Sequence, residues 1–102
     1  MRVTKSIPII ELLEYLSIYL GPNDYQIVDH WDGDLCAIGI ASCRDKHHLV
    51  YISTYEQPRG SYYFECEKSL SSELSECTIT KQGNLVDLQS LITVIQQHLD
   101  LK

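Results

Sequence analysis

The chain opens on a helical pattern. Ile9, Leu12, Leu13, Leu16 and Leu20 recur at the spacing of one helix face. Ser6 stands where an N-cap belongs, and Pro8 falls in the first turn, where its missing N–H costs nothing. Gly21-Pro22 ends the pattern, because Gly accepts the left-handed conformation past a helix end and Pro cannot continue it. From Tyr25 to Glu67 the period changes to two. Tyr25 to Trp31 runs into Asp32-Gly33, a hairpin signal. A two-residue turn there pairs Asp29 with Cys36 and Ile27 with Ile38, and sets Tyr25, Ile27, Ile38 and Ile40 on the core face. The opposite face then carries His30, Ala37, Gly39 and Ala41.

A third strand is expected over Leu49 to Tyr55, after a polar turn around Arg44-Asp45-Lys46. With Ile52 opposite Ile40, residues Val50, Ile52 and Thr54 face the core, and Leu49, Tyr51, Ser53 and Tyr55 face outward. Gln57 to Gly60 reads as a turn. Ser61 to Glu67 reads as a fourth strand, with Tyr62, Phe64 and Cys66 inward and Tyr63, Glu65 and Glu67 outward. Ser69 to Ser75 is a serine-rich loop, and Cys77 to Lys81 forms a short fifth strand. Asn84 is the expected N-cap of a closing helix with Asp87 in its first turn. Its stripe is Leu85, Leu88, Leu91, Ile92, Ile95 and Leu99.

These elements predict an α+β fold in a single domain over 1–102. It has two layers: a four- to five-stranded antiparallel meander, with the N- and C-terminal helices packed on one face. Both helices need an apolar surface and the sheet offers one. A domain of this size buries roughly two-thirds of its unfolded surface, enough to fold without a metal or disulfide staple.

Composition then narrows the function. The 102 residues are 44% hydrophobic and 22% charged, a globular balance, and the formal charge is −6. That charge argues against binding nucleic acid or an anionic membrane. The apolar run from Ile7 to Leu20 is broken by Glu11, Glu14 and Ser17, and is too short to span a bilayer. No signal-peptide pattern is seen, so a cytoplasmic location with reduced thiols at Cys36, Cys43, Cys66 and Cys77 is expected.

Catalytic patterns are weak. The cysteine spacings are not those of a structural zinc site, and no cofactor or metal is expected. His47 and His48, as strand neighbours, point to opposite faces, which suits no shared metal. The five glycines form no phosphate loop, and no nucleophile elbow is present. Asp29, Asp32 and Asp34 loosely resemble a calcium loop, but position 43, where the closing glutamate would stand, is Cys. No catalytic residue is assigned, and an enzyme is not expected.

Charge placement is more telling. Residues 23–77 hold ten acids and four bases, whereas the remainder is balanced at four of each, so the whole excess lies on the sheet segment. In the expected register the outward face gathers Tyr51, Tyr55 and Tyr63 with Glu65 and Glu67 over small residues, with Glu56 beside Tyr55. Trp31 is an anchor candidate among Asp29, Asp32 and Asp34. Tyrosine with carboxylate suits lysines and arginines of a basic partner; equally, aromatics favour strands and acids keep an exposed sheet soluble.

The helix Pro8 to Leu20, the hairpin Ile27-Val28-Asp29-His30-Trp31-Asp32-Gly33-Asp34, the strand Tyr62-Tyr63-Phe64-Glu65-Cys66-Glu67 and the closing helix together resemble a bacterial immunity protein. The likeness is to those that neutralise toxins of contact-dependent growth inhibition systems. It covers the chain in architecture and includes no diagnostic motif. It implies a cytoplasmic, non-enzymatic inhibitor, monomeric in a 1:1 complex with a cognate basic toxin domain. That toxin would be a nuclease acting on transfer RNA or other nucleic acid, with a ribonuclease of the pancreatic type among the candidates. The alternative is a structural or adaptor subunit that homo-oligomerises through its sheet.

Overall fold

The computed structural model describes residues 5–21, 23–28, 35–43, 47–69 and 77–99. The order is α1 (Ile7–Tyr19), β1 (Tyr25–Val28), β2 (Ala37–Ser42), β3 (His48–Ser53), β4 (Ser61–Ser69), β5 (Cys77–Asp87) and α2 (Leu88–His98). The five strands form one antiparallel sheet in the order β1-β2-β3-β4-β5, so the expected α+β meander is the fold.

Ile9, Leu12, Leu16 and Leu20 of the first helical segment join Ile38, Ile40, Val50, Ile52, Tyr62, Phe64 and Cys66 of the sheet and Leu91, Ile92, Ile95 and Leu99 of the last segment in one core. Both helices therefore cover the same sheet face. Ser6 holds the N-cap position, but its hydroxyl makes no cap bond and is buried without a partner. The Ser6 carbonyl accepts from the Ile9 and Ile10 N–H groups at 3.1 and 3.0 Å, so the backbone closes the first turn unaided.

Two registers differ from expectation, each by two residues. Ile27 pairs with Ile40 rather than Ile38, and Ile52 pairs with Ile38 rather than Ile40. An even shift preserves facing, because side chains alternate with period two. The inward set is accordingly as expected. The Asp32-Gly33 turn itself, His30 and the turn 44–46 lie outside the described residues.

The third difference is larger. β5 runs to Asp87, pairing with β4 as far as Ser61↔Asp87, where a short strand and an earlier helix were expected. Asp87, not Asn84, caps α2: its carboxylate accepts from the Ser90 N–H at 2.8 Å. Leu85 leaves the expected helical stripe; it is 58% exposed and has a φ of 56°. A bulge at this point gives β5 an additional residue opposite β4 between Tyr62 and Phe64. Gln57 clamps it, donating from Nε2 to Asn84 Oδ1 at 2.9 Å and accepting at Oε1 from the Leu85 N–H at 3.1 Å. Cross-strand bonds along the whole of β5 outweigh one local side-chain cap at Asn84.

Candidate functional site

The face of the sheet away from the helices is built by alternation. Gly39 lies opposite Tyr51, Tyr51 opposite Glu65, Ser53 opposite Tyr63, and Leu49 opposite Glu67. Crossing from β2 to β4, the face passes from small residues to Leu49, Tyr51 and Ser53, and then to Tyr63, Glu65 and Glu67. The rings of Tyr51 and Tyr63 meet edge-to-face, with centroids 6.4 Å apart and planes at 72°. The Tyr63 hydroxyl donates to Glu65 Oε2 at 2.8 Å. Burial pushes the Tyr63 phenol up to about 12, and the bond to the Glu65 carboxylate raises it further than burial alone would. Tyr63 thus stays a neutral donor at physiological pH and holds the carboxylate in place.

Of the expected site residues, Tyr51, Tyr63, Glu65 and Glu67 are brought together on this face. Tyr55 and Glu56 stand in the turn after β3, next to the Ser53–Tyr63 pair. The Tyr55 N–H donates to Ser53 Oγ at 3.1 Å, Tyr55 is 65% exposed, and Glu56 takes the left-handed conformation at a φ of 56°. Asp29, Trp31, Asp32 and Asp34 lie outside the described residues. Leu49 and Ser53 face outward as their parity requires, yet both are buried, as are Ala37 and Ala41 on the same face. Facing away from the core is not the same as exposure. This face is a tyrosine-and-carboxylate surface on a closed floor.

The site can accept a cation chemically. A guanidinium or ammonium over a tyrosine face gains a cation–π contact, and a carboxylate at the rim completes a charge-assisted hydrogen bond.

Other candidate chemistry does not assemble. Cys66 and His98 both line a cleft of about 290 Å³ with Thr80, Lys81, Val94 and Gln97. Burial pushes the Cys66 thiol up to about 11, so it is protonated and a poor nucleophile. His98 Nε2 lies 2.9 Å from the Glu67 carbonyl, and burial lowers its pKa. Among the described residues no group of three His, Cys, Asp or Glu side chains could hold a metal ion. No helix among them is long and apolar enough to cross a membrane.

Two features escaped the sequence reading. His48 meets His98 edge-to-face at 5.3 Å, a contact between residues far apart in the chain that no local signal announces. The outer surface of α1 also carries Ile7, Ile10, Tyr15, Ile18 and Tyr19, all more than a third exposed. The signal for this second feature was present. The segment is apolar on both faces, and a periodicity search stops at the first stripe it finds.

Comparison with protein-family models, with curated proteins and with solved structures finds no match for this chain.

Proposed function

We propose that this chain is a non-enzymatic immunity protein that binds and neutralises a cognate basic toxin domain, a nuclease, through the helix-free face of its sheet. The observation that carries this reading is the joining of Tyr51 and Tyr63 to Glu65 and Glu67 on one face, with Tyr63 bonded to Glu65. Tyrosines offer desolvated contact area at low entropic cost, and the carboxylates steer a basic partner and pair with its lysines and arginines. A nuclease presents a cationic cleft for phosphate, and an acidic protein seated there replaces the charge of the substrate. The cytoplasm is where such an inhibitor acts.

The test begins with the neighbouring gene, which should encode a large secreted protein with a basic C-terminal domain. That domain, co-expressed with this chain, should purify as a 1:1 complex and regain nuclease activity on separation. Glu65→Lys with Glu67→Lys should slow association at low salt by at least tenfold, and added salt should shrink the difference. An association rate identical to that of the parent protein removes the sheet face from the interface.

A further inference from the structure

The bulge in β5 presents a residue that the fold alone does not call for. Between the pairs Phe64↔Gly83 and Tyr62↔Val86, the two residues Asn84 and Leu85 stand opposite Tyr63. Leu85 has a φ of 56° and is 58% exposed. The left-handed region favours Gly or Asn over a bulky side chain, and a largely exposed Leu gains little from burial. Glu56 takes the same conformation, and these are the two non-glycine residues with positive φ among the described residues. Gln57, next to Glu56, ties the two together: its Oε1 accepts from the Leu85 N–H and its Nε2 donates to Asn84 Oδ1. Backbone strain persists where neighbours hold it, and it gathers at sites that bind something. Tyr55, exposed beside Glu56, completes an apolar knuckle at this end of the sheet.

On the reading of the sheet face as a toxin-binding surface, we infer that Leu85, with Tyr55, is an apolar anchor of that surface and meets an apolar patch of the toxin flanked by lysines or arginines. Continuity fixes the occupant. Tyr63, opposite the bulge, is the tyrosine that meets Tyr51 and bonds Glu65. Ser53, across from Tyr63 on the other side, accepts from the Tyr55 N–H. The knuckle and the carboxylates therefore share one surface. Charge points to the same partner. Lys68 and Lys81 lie opposite His48 and Cys66 on the helix side, and Arg59 bonds Glu11 of α1. Among the described residues no lysine or arginine of β3, β4 or β5 stands on the outer face, whereas Glu65 and Glu67 do, with Glu56 exposed in the adjoining turn. An apolar contact rimmed by opposite charges is the usual build of a specific interface.

The test uses the full chain and the basic C-terminal domain encoded by the neighbouring gene. Leu85→Asn should speed dissociation of the complex by roughly tenfold and leave the association rate and its salt dependence unchanged, because an apolar contact acts after encounter. Tyr55→Ser should also speed dissociation, and Leu85→Met should retain binding. The urea midpoint of Leu85→Asn should be no lower than that of the parent, since Asn accepts the left-handed conformation. Dissociation of Leu85→Asn at the parent rate overturns the inference. So does a lowered midpoint in both Leu85→Asn and Leu85→Gly, which makes Leu85 a residue of the fold. A concentration-dependent dimer of the isolated chain that Leu85→Asn abolishes assigns the knuckle to a second copy and overturns it as well. A parent chain that forms no complex removes the toxin reading and the anchor together, whereas a parent complex that Leu85→Asn leaves intact removes the anchor alone.

Discussion

Gly83 lies directly opposite Phe64 across the β4–β5 pair, and the Phe64 ring occupies the space that a β-carbon on residue 83 would enter. The strand carries a glycine there because the ring, itself 2% exposed, needs the room. The aromatic in turn covers the gap that a strand glycine leaves.

Gly83→Ala therefore overpacks the core by one methyl group against an aromatic that is held by its neighbours. The expected loss is about 1–3 kcal/mol, read as a lower denaturant midpoint. Combining it with Phe64→Leu should recover part of the loss, a coupling that a double-mutant cycle measures. An alanine variant as stable as the parent would contradict the close approach.

Tyr63 should be among the last of the tyrosines to ionise. Burial first, and then its bond to Glu65, push its phenol up to about 12, against an ordinary value of 10.0. Ultraviolet titration of the parent and of Tyr63→Phe isolates this group. Glu65→Gln should bring it part of the way down and leave the effect of burial. The unfolded chain releases this proton first, so stability should decline as pH rises from about 10 toward 12.

His98 works in the other direction. Burial lowers its pKa, with the His48 ring contributing, and the bond to the Glu67 carbonyl partly offsets this. Below the unfolded value of 6.5 the unfolded chain takes up the proton more readily, so stability should fall as pH drops below about 6.5. It should level off once the folded imidazole is also charged. Urea midpoints from pH 7.5 to 5 give the slope, and His98→Gln should flatten it.

Cysteine reactivity should follow burial. Iodoacetamide at pH 8 should label the exposed Cys43 and leave Cys66, which is 1% exposed with its thiol raised to about 11. Peptide mass analysis reads the sites, and urea should release Cys66. Rapid labelling of Cys66 in the folded protein would contradict its place in the core.

The turn expected over Gln57 to Gly60 was legible to within one residue and falls at 58–61. Ser61 N–H donates to the Pro58 carbonyl at 2.9 Å, with Gly60 at a φ of 87° where a side chain would be strained. The start of α2 was not. Asn84 and Asp87 are both good caps in isolation, and the choice between them depends on how far β4 holds β5. Four of the ten expected site residues, Tyr51, Tyr63, Glu65 and Glu67, were legible as a face because strand parity needs no partner. Its texture was not: the burial of Leu49 and Ser53 and the Tyr63–Glu65 bond depend on neighbours.

By itself the sequence determined the kinds of element, their order and, from β1 to β4, the face each residue takes. Periods of two and of 3.6 are properties of the local backbone, and errors of an even number of residues leave them intact. Only the tertiary structure decided the strand registers, the length of β5, the meeting of His48 with His98 and the exposure of the outer stripe of α1. Each of these is set by competition among distant partners for the same hydrogen bonds and the same apolar surface, and that competition is resolved only when the layers close.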